Sequence, residues 1–306
     1  IQEKLLVFLE KSDNSESDLQ QFTNFLADQH FQKEILKDFL NLLSKVSMNH
    51  QRTTYFNQKI ESILDFLKND ILSNFNNCSL FNIFQHNKRV LLFLIKNKFI
   101  NIDTKIYNRL TSINDFVEYF TPELITYQTK EENTANSTFE EKREKGENDD
   151  HFCQLIRNDS VKEFIDYVNQ NNISIDKANI ESSSFETNPL LLNSKSISLA
   201  EYAAFFGSIQ IVKYLYQNDV ELKPSIWLFT IHSNNKELIH FLEENDIVPN
   251  SYRLCYLEAI KCYHNDIAHY ILEKFLETIN KDDVYFDGLI GGYNFEFFSE
   301  DLIKED

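Results

Sequence analysis

The sequence predicts an all-α protein, an α-solenoid of degenerate helix pairs behind an N-terminal helical block. Three observations carry that expectation. Apolar residues recur at three- and four-residue spacing through most of the chain, the period of one helix face. Only 5 glycines and 4 prolines punctuate 306 residues, too few for the many tight turns of a hairpin-rich β fold. One helix-pair pattern also returns along the chain, and helix pairs that short bury their apolar faces only by stacking on copies of themselves.

Taken in order, residues 1–11 (IQEKLLVFLEK) read as a helix, and 12–17 as a polar break with Ser17 or Asp18 as the next N-cap. Residues 19–46 form one long amphipathic pattern, through Phe22, Phe25, Ile35, Phe39 and Leu43 among others. A second pattern spans 55–72. This block contains no glycine and no alignable repeat frame, so it is expected to cap the first repeat's apolar face. A degenerate first repeat starts at 80 within the domain 1–125, and more helix over 107–125 is expected to stop near Pro122.

The composition then changes. Residues 126–150 are assigned to a charged linker: the stretch QTKEENTANSTFEEKREKGENDD has one aromatic and no Val, Ile or Leu. So little apolar surface predicts a mobile linker or a solvated helix with a flexible end.

Residues 151–306 form the repeat domain. Its centre is 198–223, SLAEYAAFFGSIQIVKYLYQNDVELK, two short helical patterns joined at Gly207. Ala203 and Ala204 let a neighbouring helix approach. Ile211, Val212, Leu215 and Tyr216 make one apolar stripe. Ile211, Val212, Tyr214 and Leu215 return as Leu238, Ile239, Phe241 and Leu242, a shift of 27, and then as Ile267, Ala268, Tyr270 and Ile271, a further 29. Upstream, Phe164 and Tyr167 match at 48, and Val90, Leu91, Phe93 and Leu94 at 121. The glycine slot is filled in turn by His86, Asp159, Gly207, Asn234 and Tyr263. Asn and Asp tolerate left-handed angles, whereas Tyr263 is a misfit there. The excess length at the 48-residue shift reads as a long loop over 176–196. Residues 282–298, with Gly288, Gly291 and Gly292, read as an incomplete C-terminal unit.

Ser198–Leu199–Ala200–Glu201, Ala203–Ala204, Gly207 and Ile211–Val212–Lys213–Tyr214–Leu215 together resemble an ankyrin repeat, whose family pattern is Thr-Pro-Leu-His, Ala-Ala, Gly-His and Val-Val-Lys-Leu-Leu. Residues 155–221 are similar to the large, Asn-rich ankyrin proteins of flagellate protozoa, which carry a subfamily domain of unknown function. The resemblance covers roughly half the chain. It implies that the two residues after the paired alanines point into a concave groove and meet a partner. Those positions are Phe84 and Gln85, Arg157 and Asn158, Phe205 and Phe206, His232 and Ser233, and Lys261 and Cys262. The partner-binding candidates are Phe205, Phe206, His232, Ser233, Lys261, Arg157 and Asn158. Phe205 and Phe206 stand out, because neighbours on a helix do not both face one core direction. One of them is expected at the groove unless the 176–196 loop folds over both.

Charge and motifs exclude other classes. The balance of 48 acidic to 30 basic residues, a net charge of −18, opposes nucleic acid and anionic lipid. The longest apolar run, 90–95, is far short of the ~20 residues of a membrane span. No secretory signal opens the chain, although Ile1 is not a start methionine, and four irregularly spaced cysteines suit a reduced cytoplasmic location. The sequons at Asn77, Asn136, Asn158 and Asn172 then read as chance matches. No nucleotide-binding glycine loop and no nucleophile elbow occurs, so no cofactor and no catalytic residue is expected. Cys255, Cys262, His264 and His269 lie within 15 residues, but Cys255 and Cys262 are too far apart for paired zinc-ligand spacing, so no metal site is expected there. The expected function is a non-enzymatic scaffold that binds a protein partner. The alternatives are a structural part of a larger assembly, such as the cytoskeleton, and an enzyme whose N-terminal block is catalytic, which would require a convergent polar pocket in 1–125.

Overall fold

The computed structural model describes residues 1–131, 136–194, 196–275 and 293–297. Among them the chain is all-α: twenty α-helices and one antiparallel sheet of two two-residue strands, β1 (Asn179–Ile180) and β2 (Ile197–Ser198). The chain forms two compact units. One comprises 1–48, 52–147 and 184–189; the other comprises 49–51, 148–183 and 190–306.

The first unit begins with α1 (Gln2–Glu10) and α2 (Glu16–Ala27). The N-cap of α2 is Ser15, whose hydroxyl accepts from the Asp18 amide, rather than Ser17 or Asp18. The long 19–46 pattern is two helices, α2 and α3 (Lys33–Asn49), interrupted at His30 with φ 46°. Next come α4 (Phe56–Phe66) and α5 (Lys68–Asn74). The first repeat-like pair is α6 (Asn77–Phe84) and α7 (Lys88–Lys96). His86 keeps ordinary angles, so this pair turns without a left-handed residue. After α8 (Thr104–Ser112) and α9 (Asn114–Tyr119), Pro122 opens α10 (Thr121–Thr129) instead of ending a helix. Its missing amide falls where a first-turn amide has no intrahelical partner.

The charged stretch is where the sequence expectation and the structure part. It carries α11 (Ser137–Lys145), and Arg143 on it is fully buried. Arg143 donates to Tyr119 O at 2.9 Å and pairs with Glu123 at 2.7 Å and with Glu140. Phe139 meets Phe185 edge-on at 5.3 Å, and Thr187 Oγ1 donates to Gly146 O at 2.7 Å. Aliphatic residues were the wrong index of packing here, because a paired guanidinium and one aromatic hold the helix. The segment 184–189 belongs to this unit, and Phe185, Glu186, Thr187 and Asn188 are buried. The 176–196 loop is therefore divided between the two units rather than lying on one side of a stack.

Among the described residues, the second unit contains four helix pairs. They are α12 (His151–Arg157) with α13 (Val161–Gln170), and, after the short α14 (Pro189–Asn193), α15 (Leu199–Phe206) with α16 (Ile209–Gln217). Then follow α17 (Ile226–His232) with α18 (Lys236–Glu244), and α19 (Tyr252–Lys261) with α20 (Asn265–Phe275). The first helices pack in the order α12, α15, α17, α19. Ala203 and Ala204 have no exposed surface, as close helix approach requires. A capping box starts α15: Ser198 and Glu201 exchange side-chain-to-backbone hydrogen bonds of 3.2 and 2.9 Å.

Each pair turns through a left-handed residue: Asp159 (φ 51°), Gly207 (φ 72°), Asn234 (φ 54°) and Tyr263 (φ 61°). Tyr263 is thus no exception. Its amide donates to Ile260 O at 3.1 Å, that of His264 to Ala259 O at 2.9 Å, and its ring is buried. The residues after these turns stitch each pair to the one before. Ser208 Oγ donates to Ile156 O at 2.6 Å, Asn235 Nδ2 to Gly207 O at 3.1 Å, and His264 Nε2 to His232 O at 3.2 Å. The 282–298 unit lies almost wholly outside the described residues.

Candidate functional site

The recurrent turn brings the end of each first helix to the same place in its pair. In three of the four pairs one turn-end residue is drawn inward and its neighbour sits at the edge, because adjacent helical positions lie about 100° apart. Phe205, His232 and Cys262 are buried, at 8%, 3% and 0% exposed. Arg157, Phe206, Ser233 and Lys261 are half-buried, and Asn158 is exposed. In the first unit, Phe84 is buried and Gln85 half-buried. Phe205 and His232 therefore support a surface rather than form one.

The accessible row is braced. Arg157 Nη1 donates to Tyr202 Oη and to Asn148 O, both at 2.8 Å, and its guanidinium lies 5.7 Å from the Phe206 ring centre. Tyr202 and Phe205 each pack on Phe206 at 4.9 Å. Lys261 Nζ reaches both Glu258 oxygens, at 3.0 and 3.1 Å.

Beneath the row lies a buried polar column. The Phe205 ring lies 4.5 Å from that of His232. His264 donates through Nε2 to the His232 carbonyl, so its neutral ring leaves a lone pair on Nδ1. Burial, and secondarily the His50 imidazole, push the His264 pKa down to about 3, against a weaker opposing effect of its hydrogen bond. His50 Nδ1 donates to Cys262 O at 2.8 Å, and the two imidazoles pack at 5.2 Å. Cys262 Sγ lies 3.7 Å from Glu258 Oε1, and burial first, then the Glu258 charge, raise its thiol pKa well above the ordinary value.

The four residues weighed for zinc do not converge. Cys255 is buried, and burial and Glu258 push its pKa up to about 12; His269 is half-exposed beside Glu296, at 3.6 Å. Cys262 instead meets His232 and Glu258: among the described residues, the ligand atoms of these three lie within 4.8 Å of one another. A search within one helix and its turn does not reach His232 on α17. Glu258 carried the one available signal, four residues before Cys262 and hence on the same helix face.

The first unit has an open polar cleft of about 420 Å³ lined by Lys33, Lys37, Asn41, Asn74, Asn76 and Ser79, among others. Its lining holds two lysines and amides but neither carboxylate nor imidazole. None of the described helices is long and apolar enough to cross a membrane. A scan against protein-family models matched none, and comparisons with curated proteins and with solved structures found no significant match.

Proposed function

We propose that this chain is a protein–protein interaction module without catalytic activity. In this reading the second unit is an α-solenoid of ankyrin-type helix pairs, and it captures a protein partner on the row Arg157, Asn158, Phe206, Ser233 and Lys261. What supports it is the fourfold recurrence of one left-handed turn and the packing of the first helices in succession. One braced aromatic beside one arginine has the composition of a binding hot spot. The four cysteines, three of them buried, suit a reducing compartment such as the cytoplasm.

Affinity capture with the wild-type chain and with Phe206→Ala, followed by calorimetry on the captured partner, tests the proposal. Phe206 is half-buried, so its loss should weaken binding by tenfold or more, while stability falls by less than the ~3–5 kcal/mol of a core Phe→Ala. Unchanged affinity in a folded Phe206→Ala variant rejects the row.

A further inference from the structure

We propose that His232, Glu258 and Cys262 form a binding site for a zinc-class divalent transition-metal ion that ties α17 to α19. The donor set is one imidazole, one carboxylate and one sulfur, with ligand atoms within 4.8 Å of one another. A sulfur and an imidazole select borderline-soft ions such as Zn2+ over Mg2+ or Ca2+, which prefer all-oxygen sites. With bond lengths of about 2.3 Å to sulfur and 2.0 Å to oxygen, a tetrahedral ion holds those two atoms about 3.5 Å apart. Cys262 Sγ and Glu258 Oε1 are 3.7 Å apart, so the ion fits between them with little movement.

The site is also built around its ligands. Glu258 and Cys262 share one face of α19 at i and i+4 spacing. His232 ends α17, its ring plane set by Phe205 at 4.5 Å and its carbonyl held by His264. His264 Nδ1, 3% exposed as a residue, is a buried lone pair with no hydrogen-bond donor, an acceptor left over in the same layer. A thiolate and a carboxylate offset the two charges of a divalent ion, whose isolated burial would be penalised heavily, and the Lys261 ammonium on the other Glu258 oxygen adds one positive charge at the half-buried edge. The Glu258 side chain is 12% exposed, and three protein ligands leave the fourth position of a tetrahedral ion to a water.

Binding is an exchange of a proton for a metal. The Cys262 S–H bond breaks, its electron pair forms the sulfur–metal bond, and the proton leaves to solvent. Glu258 gives up one of its oxygens from Lys261, which retains the other.

The test uses the full chain, stripped with a chelator and titrated with Co2+ as a spectroscopic substitute for Zn2+. The expected result is a thiolate-to-cobalt charge-transfer absorption that saturates at one ion per chain and is displaced by Zn2+. Cys262→Ser should abolish it, Cys255→Ser should leave it intact, and His232→Gln or Glu258→Gln should weaken binding at least tenfold. X-ray absorption of the zinc-loaded wild-type chain needs no variant, and should show one sulfur neighbour among nitrogen and oxygen neighbours. No charge transfer, a signal that survives Cys262→Ser, or a zinc shell without sulfur would overturn the site and leave only a buried polar cluster.

Discussion

Backbone angle decides more than side-chain preference at the turns of the second unit. Gly207 sits at φ 72°, and a Cβ there would meet Asn235 Nδ2 and Ser233 Cβ, both at 3.4 Å. Gly207→Ala should therefore cost ~1–2 kcal/mol, chiefly from the left-handed backbone, measured by chemical denaturation. An unchanged midpoint would show that this turn relaxes. Tyr263 takes the same conformation despite its side chain, because two turn hydrogen bonds and burial of the ring offset the strain. A second residue-scale case is Lys88, 1% exposed, whose ammonium donates to Ser184 O. Burial, against weaker attraction from Asp115, Glu186 and Glu118, lowers its pKa from 10.5 to about 8. Between those values the unfolded chain holds a proton that the folded chain does not, so raising pH through the window favours folding. The stability of wild type relative to Lys88→Met should rise by up to ~3 kcal/mol from pH 8 to 10.5. A pH-independent difference would place the Lys88 ammonium in a solvated setting.

At the scale of elements, α11 is the sharpest case. Its residues are charged, yet Arg143 is fully buried between Glu123, Glu140 and the Tyr119 carbonyl. Arg143→Met keeps the stem but strands Glu123, 13% exposed, against a partner that no longer donates. Breaking a buried pair from one side costs ~3–5 kcal/mol, and Glu123's partial exposure places the expected loss at the lower end. Calorimetric unfolding that is unaltered by the substitution would return the segment to a passive role. The helix pairs, by contrast, were legible in the sequence. Gly207, Asn234 and Asp159 announced three turns by residue type, and the apolar stripes announced the second helices. Tyr263 was not legible as a turn, nor His86 as an ordinary one, because tertiary contacts set those angles. Phe205 and Phe206, which the divergence of adjacent helical positions sets apart, are buried and half-buried respectively. The buried polar cluster was largely hidden, since His232 and His50 reach Cys262 from separate elements and only Glu258, four residues earlier on α19, shares its helix face.

The whole molecule is two units whose boundaries cut across the sequence. Residues 184–189 join the first unit and 49–51 the second, so a linear division at 126–150 does not describe the packing. Composition registers apolar residues but not such long-range pairing, which here rests on buried polar groups such as Thr187, Asn188 and His50. For the proposed interaction role, a net charge of −18 predicts a partner that presents basic groups and binding that weakens as salt rises. Within the second unit the binding row is the central proposition, and amide chemical-shift mapping examines it residue by residue. The chain, isotope-labelled and titrated with its captured partner, should show its largest perturbations at Arg157, Asn158, Phe206, Ser233 and Lys261. Perturbations confined to the opposite ends of these helices, or to the first unit, would contradict it.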